Sequence, residues 1–502
     1  MPSRRLLLLG ALGLPALCGT TGLWMTASPA AGGAEPSAPP AVAAIVPMAG
    51  PAAIRVRLRM DVSGELFAPA GGDAAAERRP VTVRGLFDFD ETTGPSDPPD
   101  SPGSPRGSIL RSYTDAAADI HVGGQTHRSV LAADARRVLV SRIGTTPVPC
   151  LPTGVLTDEE RDLLETPFDP LLLEDILTGE HVAIGGTWQV PQDVAAGLLA
   201  IDTIESGGLT ARLDGVDDGT ALVRLSGIVD GAVDGVPTHV VVDGTLATPA
   251  RAIDSAEPGP GQPAEAWELW GPVRRVAVSL EERRQASHVA PGLDVEARLV
   301  LTQTPIGAES FRPEATAADV APRTAVGRPV RRQGEGPNGC VWRRDGAGRF
   351  DLVRDVRWRV VEDGPGGLVL RYIDRGALVA QCSITALDPL PLPAEPPTAA
   401  ELERDVRRSL AGQIGDTEEA TAATRSDGHH VVRLSSTGVV GGRPFAWIHY
   451  VVTAPDGTRV NVAFTLEPAM RGRFAAADRL LVEGLRPGRP DRVARRGTTP
   501  AE

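Results

Sequence analysis

The sequence predicts an α+β fold: a large antiparallel β-sheet, half-barrel-like, with short covering helices, followed by a smaller α/β unit. Apolar and polar residues alternate with period two in run after run, starting at Ile54-Arg55-Val56-Arg57-Leu58-Arg59-Met60, the pattern of a half-buried strand. The 56 glycines and 45 prolines stand against only 3 tyrosines and 9 phenylalanines, a composition of many turns around a core of Val, Leu, Ala and Ile. Helix signals are few and short.

The chain opens on an export signal. Arg4 and Arg5 form a basic head, Leu6 to Leu17 an apolar run, and the small residues around Ser28 and Ala30 a cleavage site, so residues 1–30 read as a signal peptide. The run reaches the roughly 20 residues of a membrane helix only if extended to Met25 through Gly19, Thr20, Thr21 and Gly22. Membrane contact is therefore expected only through this signal, if it stays uncleaved. Ser3-Arg4-Arg5 resembles a twin-arginine signal, but Leu7 stands where that motif prefers Phe, which favours ordinary Sec export. Leu17 before Cys18 argues against lipidation. The expected location is the periplasm or the exterior.

Residues 31–50, rich in Ala and Pro, read as a linker. A β-rich domain follows over residues 51–305. After the first strand, Val81 to Asp90 gives the second, and Thr93 to Arg106 a long loop of Pro, Ser, Gly and Asp. Strands recur at Ala118 to Val122 and Arg137 to Val140. Thr157-Asp158-Glu159-Glu160 opens a helix with a capping-box Glu, Pro170 to Leu177 and Asp193 to Leu199 read as short helices, and Gly185 to Val190 as a strand. Leu209–Leu213, Ala221–Val229, Pro237–Leu246, Glu268–Leu280 and Leu293–Leu301 form a meander, with turns at Asp217-Asp218-Gly219 and Asp234-Gly235.

Residues 306–348 lack apolar periodicity and read as a disordered linker, residues 349–486 as the α/β domain, and residues 487–502 as a disordered tail. In that domain, strands at Trp358–Val361, Leu368–Ile373 and Leu378–Ile384 precede a helix capped by Thr398-Ala399-Ala400-Glu401, whose Leu402, Val406 and Leu410 share one face. Strands Val431–Leu434, Pro444–Val452 and Arg459–Leu466 lead to a closing helix that starts near Pro468, buries Met470, Phe474, Ala477 and Leu481, and ends at Gly484.

Composition excludes several chemistries. The net charge of -13 argues against nucleic acid, which needs clustered positive charge. The chain contains no lysine, which removes the P-loop lysine, the Schiff-base lysine and the Ser-Lys dyad. No G-x-S-x-G occurs, and Cys150 sits among prolines without a base at a telling position, so no catalytic residue is assigned, and no cofactor. The 8 histidines lack metal-ligand spacing. Asp88, Asp90 and Glu91, and Asp214, Asp217 and Asp218, cluster without an EF-hand pattern, so no metal site is assigned. His429 and His430 should point to opposite faces of a strand, and His449, between Trp447 and Tyr450, reads as an ordinary solvent-side residue of a half-exposed sheet or, alternatively, as one that lines a binding face. Trp267 and Trp270 read as core or as an apolar contact. Loss of the signal leaves Cys150, Cys340 and Cys382; Cys340 and Cys382 are the candidate disulfide, with two free thiols the equal alternative.

The C-terminal order of elements, with Gly366-Gly367-Leu368-Val369-Leu370-Arg371-Tyr372-Ile373 and Phe464-Thr465-Leu466 before the last helix, resembles the PsbP-like α/β/α sandwich superfamily over the last third of the chain. That resemblance implies a binding or assembly module without catalytic residues. Val236-Pro237-Thr238 and Pro291-Gly292-Leu293-Asp294-Val295 resemble segments of secreted proteins of unknown function from GC-rich, planctomycete-type bacteria. At fold level the large sheet is similar to the half-barrels of LolA-like lipoprotein carriers. The function expected is that of an extracytoplasmic, non-catalytic, two-module binding or envelope-assembly protein with a protein or apolar small-molecule partner. A LolA-like carrier of a lipid and a cryptic hydrolase are the alternatives.

Overall fold

The computed structural model describes residues 53–67, 78–93, 109–143, 145–152, 154–177, 181–253, 266–269, 272–285, 292–306, 340–374, 376–391, 395–410 and 413–488. The signal peptide, the 31–50 linker, the greater part of the 306–348 linker, the tail beyond 488 and Trp270 lie outside them.

The first region contributes strands β1 (Ala53–Phe67), β2 (Arg78–Thr93), β3 (Ile109–Val122), β4 (Gln125–Val130), β5 (Arg137–Ile143), β6 (Thr146–Cys150), β7 (Leu156–Thr157) and β8 (Thr187–Gln189). These are followed by β9 (Thr203–Asp217), β10 (Thr220–Val233), β11 (Val236–Ile253), β12 (Ala266–Leu269), β13 (Arg275–Arg284) and β14 (Gly292–Ile306). Helices α1 (Asp158–Leu164), α2 (Pro170–Leu173) and α3 (Gln192–Leu198) interrupt them. The second region adds β15 (Cys340–Arg344), β16 (Phe350–Asp355), β17 (Trp358–Gly364), β18 (Gly367–Asp374), β19 (Ala377–Leu387), α4 (Ala399–Ser409) and β20 (Ile414–Thr424). It ends with β21 (His430–Val440), β22 (Arg443–Thr453), β23 (Arg459–Leu466), α5 (Arg471–Phe474), α6 (Ala477–Glu483) and β24 (Leu485–Pro487).

Among the described residues thirteen strands build the large sheet, in the order β6-β5-β3-β2-β1-β14-β13-β11-β10-β9-β8, with β4 on β3 and β12 on β11. Every pairing within it is antiparallel. The period-two pattern sorts its faces. Val56, Leu58, Met60 and Val62 point into the core with Val276, Val278, Leu280, Leu299 and Leu301, while Arg55, Arg57 and Arg59 point outward beside acids of neighbouring residues. Leu163, Leu164, Leu172, Leu173, Val194 and Leu198 of the three short helices join the same core. Asp218-Gly219 and Asp234-Gly235 have positive φ at both residues (43° and 68°, 53° and 77°), as two-residue hairpin turns of matching twist require.

Two expected elements differ. The strand expected over Glu268–Leu280 is two, β12 and β13, because Pro272 between them has no N–H to give a ladder. Cys340–Arg344, placed in the linker by its sequence, is strand β15 and pairs antiparallel with β16. That pair belongs to a small sheet, β24-β16-β15-β7, in which β7 from the first region lies parallel to β15. Strand β7 thus connects the two halves of the chain.

Among the described residues the third sheet has seven strands, in the order β17-β18-β19-β23-β22-β21-β20. One face carries Trp358, Leu370, Tyr372, Cys382, Ile384, Val462 and Phe464 and is covered by Phe474, Ala477, Leu481 and Val482. The opposite face packs Val432, Leu434 and Val451 against Leu402 and Val406 of α4. The closing helix is broken: Ala475 has φ 47°, which separates α5 from α6, and Gly484 ends α6. Gly376 (φ 72°), between β18 and β19, comes so close to Thr203 of the large sheet that a Cβ there would lie 2.5 Å from the Thr203 methyl group.

Candidate functional site

The helical cover of the large sheet is fastened to it by one buried arginine. Arg111 rises from β3 and donates from Nε to Glu91 of β2 at 2.8 Å, and from Nη1 and Nη2 to the two carboxylate oxygens of Asp169 at 2.8 and 2.6 Å. All three side chains are at most a tenth exposed. Asp169 is the N-cap of α2, and its Oδ1 also accepts from the Leu171 backbone N–H at 2.9 Å. A single carboxylate thus holds both the helix start and the sheet.

The electrostatics match this geometry. Burial works against the Arg111 cation, but Asp169 and Glu91 more than offset it and raise its pKa. Burial pushes the Glu91 carboxyl up, against the pull of Arg111, and pushes the Tyr113 hydroxyl up to about 12. The guanidinium also lies 5.1 Å from the centre of the Phe89 ring. Two carboxylates and one cation share the site, which links β2, β3 and the start of α2.

Beside this cluster lies a cavity of about 40 Å³, lined by Arg111, Asp169, Glu165, Thr166, Leu164 and Ile201 among others. It holds water-sized occupants and is far below the roughly 300 Å³ at which drug-sized pockets begin. The capping box foreseen at Thr157 is complete: its Oγ accepts from the Glu160 N–H, and its own N–H donates to the Glu160 carboxylate.

A second buried polar cluster joins the halves of the chain. Asp158, the first residue of α1, accepts from Arg343 of β15 at 2.8 Å and from Arg354 of β16, and Arg343 also reaches Asp363 of β17. Farther along, Arg359 of β17 lies 3.2 Å from Asp234 at the β10–β11 turn.

The residues singled out in the sequence fare unequally. Cys340 and Cys382 are not a disulfide: Cys150, Cys340 and Cys382 are all free thiols. Cys340 stands on the small sheet and Cys382 is buried in the core of the third. Burial raises both thiols, Cys340 to about 11. Asp88 and Asp90 pair with Arg57 and Arg55 on the outer face while Glu91 turns inward to Arg111, so this cluster is divided between two faces. Asp214 pairs with Arg212. His429 lies 3.0 Å from Asp427, and His430 meets Thr424 and the Pro397 carbonyl. Trp267 packs against the main core. His449 is no solvent-side residue. It is largely buried, its Nε2 has no partner among the described residues, and burial lowers its pKa to about 4. Among the described residues no group of three His, Cys, Asp or Glu is placed to hold a metal ion.

No family model and no curated protein matches the chain. Among solved structures it is similar to a cyanobacterial PsbP from Synechocystis sp. PCC 6803 at 15% identity, covering 31% of this chain and 96% of that one, with a TM-score of 0.25. It is similar to lipovitellin at 9% identity, covering 52% of this chain and 26% of that one, with a TM-score of 0.26. A third likeness is to the OccK5 protein of Pseudomonas aeruginosa, at 8% identity over 82% of this chain and 96% of that one, with a TM-score of 0.11. None of these overlaps is large enough to define a shared fold.

Proposed function

We propose that the chain is an extracytoplasmic, non-catalytic, two-module binding protein, and that its large sheet forms a half-barrel-like carrier for an apolar ligand, as in LolA-like carriers. The observation that carries this reading is the fastening of the cover. A long apolar sheet face is closed by helices of seven, four and seven residues, and Arg111 ties that cover to the sheet through Asp169. Short helices with a polar latch can lift as a unit and expose an apolar cradle, which a second packed sheet could not do without unfolding. The 40 Å³ cavity has no room for an acyl chain, so loading requires that movement.

Helices on both faces of the seven-stranded sheet support reading the second region as a PsbP-like α/β/α sandwich, a binding or assembly module. The basic head and apolar run at the N-terminus support export.

Native mass spectrometry of gently purified mature protein tests the carrier reading, together with titration by a fluorescent fatty acid. A co-purifying apolar ligand or saturable uptake is expected. If neither is found, the carrier reading fails. Robust turnover in an esterase, glycosidase or peptidase panel, abolished by one point mutation, would make the protein a hydrolase instead.

A further inference from the structure

The face of the third sheet that bears α4 is only partly covered by it. Cross-strand register sets one row of side chains along the remainder. Arg359 stands opposite Arg371, Arg371 opposite Gln381, Gln381 opposite Thr465, Thr465 opposite Trp447, and Trp447 opposite Ser436. Directly opposed residues in antiparallel strands share a face, and the alternate residues Leu370, Cys382 and Phe464 are in the core beneath. In the adjoining row His449, Ala463 and Ser383 follow one another in the same way.

Such a row should be either solvated or paired internally. Arg359 is met by Asp234, but the rest of the row is only half solvated and not paired internally. Ser436 is fully buried and its Oγ has no partner; Arg371 Nε and His449 Nε2 are likewise buried without a hydrogen bond among the described residues. Each such atom is a stability cost when left unmet, and a larger one if charged. At one end two guanidiniums face a single acid, Asp234, which lies against Arg359. Burial lowers the Arg371 pKa and Asp234 only partly restores it. At the other end Trp447 is 6% exposed, with Phe445 6.1 Å away, ring centre to ring centre. Between them Gln381, Thr465, Ser383 and Ala463 are half-buried and short, apart from the one glutamine.

We infer that this row is a binding site for an organic anion with a flat apolar body. Its carboxylate or phosphate oxygens lie on Arg371, its body crosses Gln381 and Thr465, and its far end rests against the edge of Trp447. Arg371 and Trp447 are three strand spacings apart, about 14 Å between backbones, which the long arginine shortens to the length of a small ligand. The guanidinium fork matches a carboxylate or phosphate with two parallel bonds. The site lies where the third sheet meets the large sheet's β10–β11 turn, the kind of boundary at which small-molecule sites concentrate.

Calorimetric titration of the full chain with 4-(naphthalen-2-yl)butanoate, and with its uncharged amide, tests the inference. The acid is expected to bind saturably and the amide at least about tenfold more weakly, since a charge-assisted pair is lost. Arg371→Gln should weaken the acid by about tenfold or more. Thr465→Tyr, which fills the row without touching a charge, should do the same, while Arg57→Gln on the outer face of the large sheet changes nothing. Absence of saturable binding by the acid would overturn the site. So would unchanged affinity in both Arg371→Gln and Thr465→Tyr, the outcome if the probe enters the large sheet's apolar core instead.

Discussion

Arg111 and Arg371 are both arginines on strands, both turned toward the cover of a sheet, and they are treated in opposite ways. In the first region Arg111 meets two carboxylates with three hydrogen bonds. In the second region Arg371 has no hydrogen bond among the described residues and only Asp234 within electrostatic reach. A fully satisfied buried charge is a fastener, because removing any member strands the others. An unsatisfied one is a stability cost that a ligand can relieve. The outer face of the large sheet shows a third treatment: Arg57–Asp88, Arg212–Asp214 and Arg298–Glu296 are exposed pairs that keep the face soluble and contribute little to stability.

The contrast can be broken by mutation. The largest effect is expected at Arg111: Arg111→Gln leaves Glu91 and Asp169 buried without their cation, and should cost about 3–5 kcal/mol of unfolding free energy in a denaturant titration. The deficit should shrink as pH falls through the carboxylate range, because the Glu91 carboxyl, already raised by burial, can then be neutralised by a proton. A deficit under about 1 kcal/mol would show that the cluster is no fastener.

Next in size is His449. Its pKa falls from 6.5 to about 4 on folding, so the unfolded chain takes up the proton first. Stability is therefore full above pH 6.5 and drains as pH falls toward 4, by roughly 3 kcal/mol at most. His449→Gln should flatten that part of the pH profile; an unaltered profile would mean that the ring is solvated.

The smallest effect, and of opposite sign, belongs to Arg371. Arg371→Gln removes a half-buried cation that lacks a hydrogen-bonded partner and should leave the melting temperature unchanged or raise it, by about 1 kcal/mol or less. A large loss of stability would place Arg371 with Arg111 and erase the contrast.

Local features were legible in the sequence. The capping boxes at Thr157 and Thr398 both form, since the caps depend on residues three apart. The Asp218-Gly219 and Asp234-Gly235 turns fall where their chemistry demands, and alternation identified the inward face of β1. Strand β20 went unread because Ile414–Thr424 is exposed almost throughout and carries no apolar alternation. The burial of His449 has no local signal, because a half-covered sheet gives both of its faces to strand residues and only the packing tells which is covered.

The sequence by itself determined that this is a β-rich chain with short capped helices, because period, turn chemistry and caps act over a few residues. Tertiary structure decided everything that needs distant segments to meet: β1 beside β14, Arg111 with Asp169 58 residues on, Asp158 with Arg343 185 residues on, and the row from Arg371 to Trp447. The physical reason is that alternation states which residues share a face of one strand, while strand order and register decide which strands that face continues across.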